Sequence, residues 1–553
     1  MTLTTRRRGT RSVAHTKFAP FVAAAAAVGV TFGACTSEQP ATKPAERAAA
    51  PPPTPIASEN APAVPSGSAT MDRHPKAAPA DAEPSRVSDA DGLSQEPRVY
   101  ARSRFVWIWP RPDVSAQWIG FLWLGGSAKL ASTEPIVGNG CAKFVAIEPR
   151  GYVCVDDRKA TLDPKDAFLE AARAYAPNVD SPWPHRYGES IGLKRYAEIP
   201  SEELQQAREG DLTYHLSRIA KARAGEVPAE LAGIDFFPAT GAPPSFPSPP
   251  HGMFEHLPDL KPRSTVTWST EGFANGRSWL LSGDLRWVPK DRVKVYPQVA
   301  FQGVRLGTDG ALPLAFFRKR DRPRYARTEA GQFETTDRTY SRLSWVALTG
   351  KSETIEATAD APKAATYLQT REGDWIREDD AVLPVPRTHT PWGARVGAPD
   401  TTGAAPPGRA TWMEVDVWGG WLIAYEGTHP VYVTLISPGR GGTPVRGKDP
   451  LATASTPVGR FNITGKFKTA TMEAPGEFVH SDVPWTQNFS GPHALHGAYW
   501  HDDWGELKSA GCINVSPKDG KWLFEFTEPR VPPGWHGVRW LPHLEPATTL
   551  IVR

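Results

Sequence analysis

The sequence predicts a mainly β protein, and composition and patterning both point that way. Pro (56) and Gly (48) are abundant, and aromatic residues make up 10% of the chain with 20 Trp. Long helical apolar periodicities are scarce, so short strands and many turns are expected. At 553 residues the chain exceeds what one hydrophobic core organises, which implies several domains. The 63 basic and 60 acidic residues leave a net charge of +3. That is no basic excess, and no nucleic-acid partner is expected.

Residues 1–35 read as an export signal. Arg6, Arg7, Arg8, Arg11 and Lys17 precede the apolar run FAPFVAAAAAVGVTFGA, and small residues lead to Cys35. Phe32-Gly33-Ala34-Cys35 resembles a bacterial lipobox, with Phe32 where an aliphatic residue is usual. Lipidation of Cys35 would hold the protein to a membrane without a spanning helix. No other apolar run approaches the ~20 residues of a transmembrane helix. The expected location is therefore the periplasm or cell envelope, with a lipid anchor. Residues 36–95, rich in Ala, Pro, Ser and Glu, lack the apolar content that offsets ordering and read as a flexible tether.

Residues 96–165 hold short aromatic runs broken by Pro and Gly, expected as a small β module. Cys141 and Cys154 flank AKFVAIEPRGYV, which two strands would bring together; they form either a disulfide or two buried thiols. Residues 166–250 are expected as a helical and Pro-rich insert. Its helices are DPKDAFLEAARAYA, capped by Asp163 before Pro164, and SEELQQAREGDLTYHLSRIAKARAG. Within 251–386, LRWVPKDRVKVYP and GDWIREDDAVLPVP share Trp, an aliphatic residue, an Asp and a closing apolar pair. Small barrel modules of SH3 type often close in this way. The resemblance implies one or two SH3-like modules here and another at 96–165, binding wall material or spacing the last domain. Trp287 and Trp375 are expected in cores. His185, His215 and His251 stand in polar or Pro-rich contexts and are expected to be solvated or capping. The basic run FRKRDRPRYAR at 317–327 reads as a solvated face or an attractor of anionic wall polymers. Residues 387–409 are a turn-rich linker.

From 410 onward, TWMEVDVWGGWLIAYEGTHPVYVTLISPG alternates apolar and polar residues around Gly419-Gly420 and Glu426-Gly427, which predicts consecutive antiparallel strands. RFNITGKF follows as a further strand. The stretch ALHGAYWHDDWGELKSAGCINVSP then supplies His496 and Cys512. A thiol is a good nucleophile as thiolate, and a nearby imidazole takes its proton. Cys512 has no cysteine left to pair with, which marks it further. His480, His493, His496, His501 and Cys512 contain zinc-type ligands, but no CxxC or HExxH spacing accompanies them, and no metal is expected.

The succession VDV, TPVGRF, DVPW, ALHGAYWH and SAGCIN resembles the L,D-transpeptidase catalytic domain of the YkuD family, over about residues 410–553. The resemblance implies a β-sandwich or barrel acting on peptidoglycan stem peptides by cysteine acyl transfer, without cofactor. Cys512 would be the nucleophile and His496 the base, with the Gly497 carbonyl orienting the imidazole. The N–H groups of Gly511 and Cys512 would face the oxyanion. Ser509 and Asn514 are expected to shape the loop, and Tyr499 and Trp485 to line the donor cleft or sit in the core. A second stem peptide or a lipoprotein would supply the accepting amine. Water as acceptor would instead make an L,D-carboxypeptidase, and loss of activity would leave a wall-binding protein. Ala510 stands where most members have a second His.

Overall fold

A computed structural model describes residues 96–553 apart from 157, 246–258, 358–362 and 474–478. The expected signal, Cys35, the tether and His251 lie outside the described residues. Among the described residues no helix is long and apolar enough to cross a membrane.

The alternating run after residue 410 gives three antiparallel strands, Thr411–Asp416, Trp421–Glu426 and His429–Leu435, as its turns predict. Thr549–Val552 joins the first of them in parallel, Gly459–Asn462 follows it, and Val304–Arg305 occupies the opposite edge. A second sheet runs Ile513–Val515, His493–Gly497, Val479–Ser490, Gly465–Glu473 and Gly537–Arg539. Met413, Val415, Leu422 and Tyr432 of the first sheet share one core with Phe489, Leu495, Ile513 and Val515 of the second. The helix Pro517–Phe526 adds Leu523 and Phe526 to it. Burying each such side chain contributes roughly 1.5–3 kcal/mol. RFNITGKF is two strands rather than one, because the chain passes through the core at Ile463 and changes sheet.

The second sheet does not end with Gly537–Arg539. Phe121 pairs with Gly537, and Gly120 with Val538, so the sheet continues through Gly120–Leu122, Val106–Trp109, Tyr152–Cys154, Cys141–Ala146 and Ile136–Gly138. Trp535 and Val538 are buried in the N-terminal core with Val106, Ile108 and Val153. The segment 96–165 is thus not a free-standing module: an open strand edge has been satisfied by residues from the far end of the chain. Cys141 and Cys154 lie on its neighbouring strands and are joined as a disulfide.

The helical insert also sits differently from its expected place. Arg186–Ser190, inside it, pairs with both Thr265–Ala274 and Val293–Val295, in a sheet completed by Arg277–Ser282 and Trp287–Pro289. The helices Glu202–Arg208 and Leu212–Arg223 are therefore an excursion between two paired strands, separated from each other near Gly210. The first helix, Ala167–Arg173, starts later than expected. Asp166 caps it by accepting from the Leu169 N–H, whereas Asp163 accepts from Lys165 in the preceding turn. A further sheet runs Leu314–Phe316, Trp345–Ile355, Ala365–Thr370, Trp375–Arg377, Arg322–Arg327 and Phe333–Tyr340.

The two similar Trp stretches share a conformation. Trp287–Pro289 leads through a 3-10 turn at Lys290–Arg292 into Val293–Val295; Trp375–Arg377 leads through Glu378–Asp380 to Val382, which bridges Phe316. Trp287 and Trp375 are buried. The basic run after Phe317 is held by acids: Arg322 by Asp380, Arg324 by Glu372 and Asp374, Arg327 by Glu353. His185 and His215 are buried rather than solvated, and His215 Nε2 meets Asp291 Oδ1 at 3.1 Å.

Candidate active site

His496 lies on a strand paired in parallel with Ile513–Val515, which Cys512 directly precedes. His496 stands opposite Asn514 and Leu495 opposite Ile513, which sets Cys512 at the head of its strand. Both side chains are buried, His496 2% and Cys512 4% exposed. The imidazole Nδ1 lies 3.2 Å from the Gly497 carbonyl oxygen. A proton on Nδ1 satisfies that carbonyl and leaves the Nε2 lone pair free. Burial pushes His496 down to about 4, against the opposing effect of the Gly497 bond. Burial likewise pushes the Cys512 thiol up to about 11, opposed by a hydrogen bond from the Ala494 backbone. The resting pair is neutral.

The loop before Cys512 is shaped by Ser509. Its hydroxyl donates to the Cys512 carbonyl at 2.5 Å and accepts the Gly511 N–H at 3.0 Å. The Gly511 N–H, expected to face the oxyanion, is engaged within the loop. Gly511 has φ +127°, and a Cβ there would lie 2.9 Å from the His493 ring and from the Ser455 carbonyl oxygen. Only glycine fits that conformation and that space. Neighbouring loops fasten the same turn, through Arg440 N–H to Ser509 O and Lys508 N–H to Pro438 O.

The helix after the cysteine strand supports His496. Ser516 caps it by accepting the Asp519 N–H, with Pro517 in the first turn. The buried Asp519 carboxylate accepts from Tyr432, Thr434, Ser516 and the Gly303 N–H. Those bonds draw the helix onto the first sheet. Gly520 then lies against Gly497, where a Cβ would come within 3.2 Å of the Gly497 Cα. Helix, Gly497 and His496 form a chain of contacts that sets the imidazole.

Further imidazoles surround the pair. His480 stacks on Trp500 with ring centroids 4.2 Å apart, and His496 lies 5.7 Å from the same ring. Burial, with smaller contributions from His496 and His501, pushes His480 down to about 3; burial above all pushes His501 to about 4. The Asn514 side-chain amide meets His501 Nε2 at 3.1 Å. Among the described residues no group of three His, Cys, Asp or Glu side chains is arranged to hold a metal.

Trp485 and Tyr499, expected to line the donor cleft or sit in the core, are both buried. Trp485 is 2% exposed, packs on Phe524, and donates its indole N–H to the Pro182 carbonyl. Tyr499 is 4% exposed, stacks on Tyr187, and donates to the Ser481 carbonyl. Sequence reasoning missed the supports: His493 against Gly511, Trp500 between imidazoles, and the Asp519 node. Ser516-Pro517 before Asp519 is the one local signal for the last of these.

Residues 390–534 match the family model of the L,D-transpeptidase catalytic domain, YkuD, which begins inside the expected linker. Similar solved structures include an L,D-transpeptidase of Enterococcus faecium, at 23% identity over 26% of this chain and 49% of that one, TM-score 0.19. Another is from Stackebrandtia nassauensis, at 22% identity over 26% and 55%, TM-score 0.18. A third is from Xylanimonas cellulosilytica, at 22% identity over 28% and 70%, TM-score 0.19. The chain spans about half the length of the first two. No curated protein matches it.

Proposed function

Because residues 390–534 form an L,D-transpeptidase catalytic domain by family, we propose that the protein is an active peptidoglycan L,D-transpeptidase with Cys512 as nucleophile and His496 as base. The observation that carries this is the buried pair on parallel strands, with Nδ1 held by the Gly497 carbonyl and the other ring nitrogen left to take a proton.

The reaction follows from the neutral resting pair. Cys512 Sγ attacks the carbonyl carbon between the donor stem peptide and its terminal D-residue, and its proton passes to His496 Nε2 as the S–C bond forms. The Cys512 N–H faces the developing oxyanion. The C–N bond breaks, the proton moves from His496 to the leaving amine, and a thioester remains. An acceptor amine then attacks the thioester, losing its proton through His496 to the departing thiolate. The acceptor is a second stem peptide or a lipoprotein. Ser509 holds the loop in register, and Asn514, through His501, steadies the far side of the site.

The enzyme acts at the cell envelope, exported by residues 1–35 and held to a membrane through acylated Cys35. The strand order of the sheets at 186–295 and 314–377, each closing through a Trp strand and a 3-10 turn, supports reading them as SH3-like spacers. The test is incubation with disaccharide-tetrapeptide, with and without an amine acceptor, and mass spectrometry of the products. Release of the D-residue and acceptor-dependent amide formation, both absent in Cys512→Ala, are expected. Unchanged turnover in Cys512→Ala refutes the assignment.

A further inference from the structure

The basic run at 317–327 divides in two. Arg322, Arg324 and Arg327 pair with acids of their own sheet, but Arg318 and Lys319 turn the other way. Arg318 Nε lies 3.2 Å from Glu506 Oε1, its Nη1 donates to the Gly505 carbonyl, and Lys319 Nζ lies 3.2 Å from Glu506 Oε2. From a second turn, Arg342 donates to the Asp502 carboxylate at 2.8 Å and to the Asp502 carbonyl at 2.6 Å. Asp502, Gly505 and Glu506 belong to the irregular stretch between the His496 strand and Cys512. Cations from the sheet at 314–377 thus grip the segment that joins the two candidate catalytic residues.

The two turns that carry these cations are built as one unit. The Leu343 N–H donates to the Phe317 carbonyl at 2.6 Å, and the Arg342 N–H to the Asp321 carboxylate at 2.7 Å. Lys319 and Leu343, each next to a gripping arginine, have left-handed backbones with φ +66° and +62°. A side chain makes that conformation costly, and such residues cluster where the surrounding structure holds a site in shape.

On its other side the gripped segment reaches the nucleophile. Trp504 is buried among Leu314 and Phe316 of the gripping sheet and Ile423 and Leu435 of the catalytic one. His501 packs on Trp504 with ring centroids 4.7 Å apart, and its Nε2 meets the Asn514 side-chain amide at 3.1 Å. The Asn514 backbone exchanges hydrogen bonds with Ser437, whose hydroxyl donates to the Asp503 carbonyl. A shift of 502–506 is therefore passed through His501 and Asn514 to the turn at Cys512. One exposed ion pair holds little, but several on a short irregular segment act together.

We propose that Arg318 and Arg342 are positioning residues for Cys512, holding the 501–508 loop so that His501 and Asn514 fix the turn that carries the thiol. This rests on Cys512 as the nucleophile, and it gives the sheet at 314–377 a part in catalysis beyond spacing. Both arginines act through the loop and not on the reacting atoms.

The experiment compares Arg342→Gln and Arg318→Gln in the full chain with Arg327→Gln, which breaks a pair of the same basic run away from the loop. Acylation of Cys512 by a carbapenem is followed by mass spectrometry, and hydrogen exchange is followed across residues 501–511. Arg342→Gln is expected to lower the maximal acylation rate about tenfold and Arg318→Gln severalfold, with the half-saturating concentration kept within about twofold. Exchange across 501–511 quickens in both, melting temperature holds, and Arg327→Gln changes nothing. Arg342→Lys, which keeps the charge but not the fork that reaches both Asp502 oxygens, recovers part of the loss. Acylation at the ordinary rate in the folded variants, or an equal loss in Arg327→Gln, overturns the proposal. If no adduct forms even in the unsubstituted protein, the acyl-transfer reading falls. Exchange then decides the grip by itself, and unchanged exchange in Arg342→Gln overturns it.

Discussion

Two regions of this molecule bury polar side chains in opposite ways. In the sheet at 186–295, Arg277 is clasped by Glu209 and Asp291, Arg292 by Glu209 and Asp211, and His215 bonds Asp291. Within this network Asp291 is held well below the usual carboxylate range by Arg277 despite its burial. Around Cys512 burial outweighs the charges at hand, such as Asp503 and Lys508 near His501. His496, His480 and His501 are pushed down, and Cys512 up, chiefly by burial. Paired charge fixes a scaffold, whereas desolvated neutral groups keep a proton free to move. The difference teaches that burial of ionisable residues marks chemistry only where partners are missing.

The sharpest way to break this comparison is to remove the base. His496→Ala is expected to slow carbapenem acylation of Cys512 by about 10²–10⁴-fold, the usual worth of a general base, with the fold retained. Mass spectrometry of the adduct against time measures it. The mirror experiment is Arg277→Leu, which strands Glu209 and Asp291 and is expected to cost about 3–5 kcal/mol in denaturant unfolding. In the fraction that remains folded, acylation at Cys512 continues at the normal rate. Loss of acylation in that folded fraction would contradict the division of labour.

Acid separates the two regions as well. The imidazoles have folded values below their unfolded one near 6.5, so they contribute stability above that pH and lose it as pH falls toward about 4. Asp291, lowered from 3.8, loses its contribution only below that value. Thermal unfolding is therefore expected to fall in two acid windows, 6.5 to 4 and then below 3.8. Acylation, needing neutral His496, is expected to hold to within about twofold from pH 7 to 5.5. An imidazole at its ordinary value would lose about tenfold there. The smallest effect belongs to Gly520→Ala. A methyl pressed on Gly497 is expected to shift His496 and slow acylation a few-fold, with little change in melting temperature.

Much of the catalytic sandwich was legible because its signals are local. Alternation and paired glycines place the strands from Thr411 to Leu435, and the HG and SAGC motifs bring forward His496 and Cys512. What escaped depends on distant partners. Nothing near Gly120 announces that Val538 will pair with it, and nothing near His215 announces Asp291. Asp163 before Pro164 had a good cap pattern, yet Asp166 won because its carboxylate reaches the Leu169 N–H. At Gly511 the sequence shows flexibility, but only the fold shows that Ser509 has already taken its N–H.

The pairing of Gly120 with Val538 also orders events in time. The strands around Gly120 emerge early in synthesis, yet their sheet has an open edge until the residues around Val538 arrive. Contacts so distant in sequence form slowly, after much loop entropy has been spent. The edge at Gly120 is therefore exposed until the residues around Val538 are available, an interval in which strand edges invite wrong partners. Until then the catalytic sheet lacks its link to the N-terminal strands. The chain is in effect its own timer: the sheet that carries Cys512 reaches its full width only after the residues around Val538 have been made.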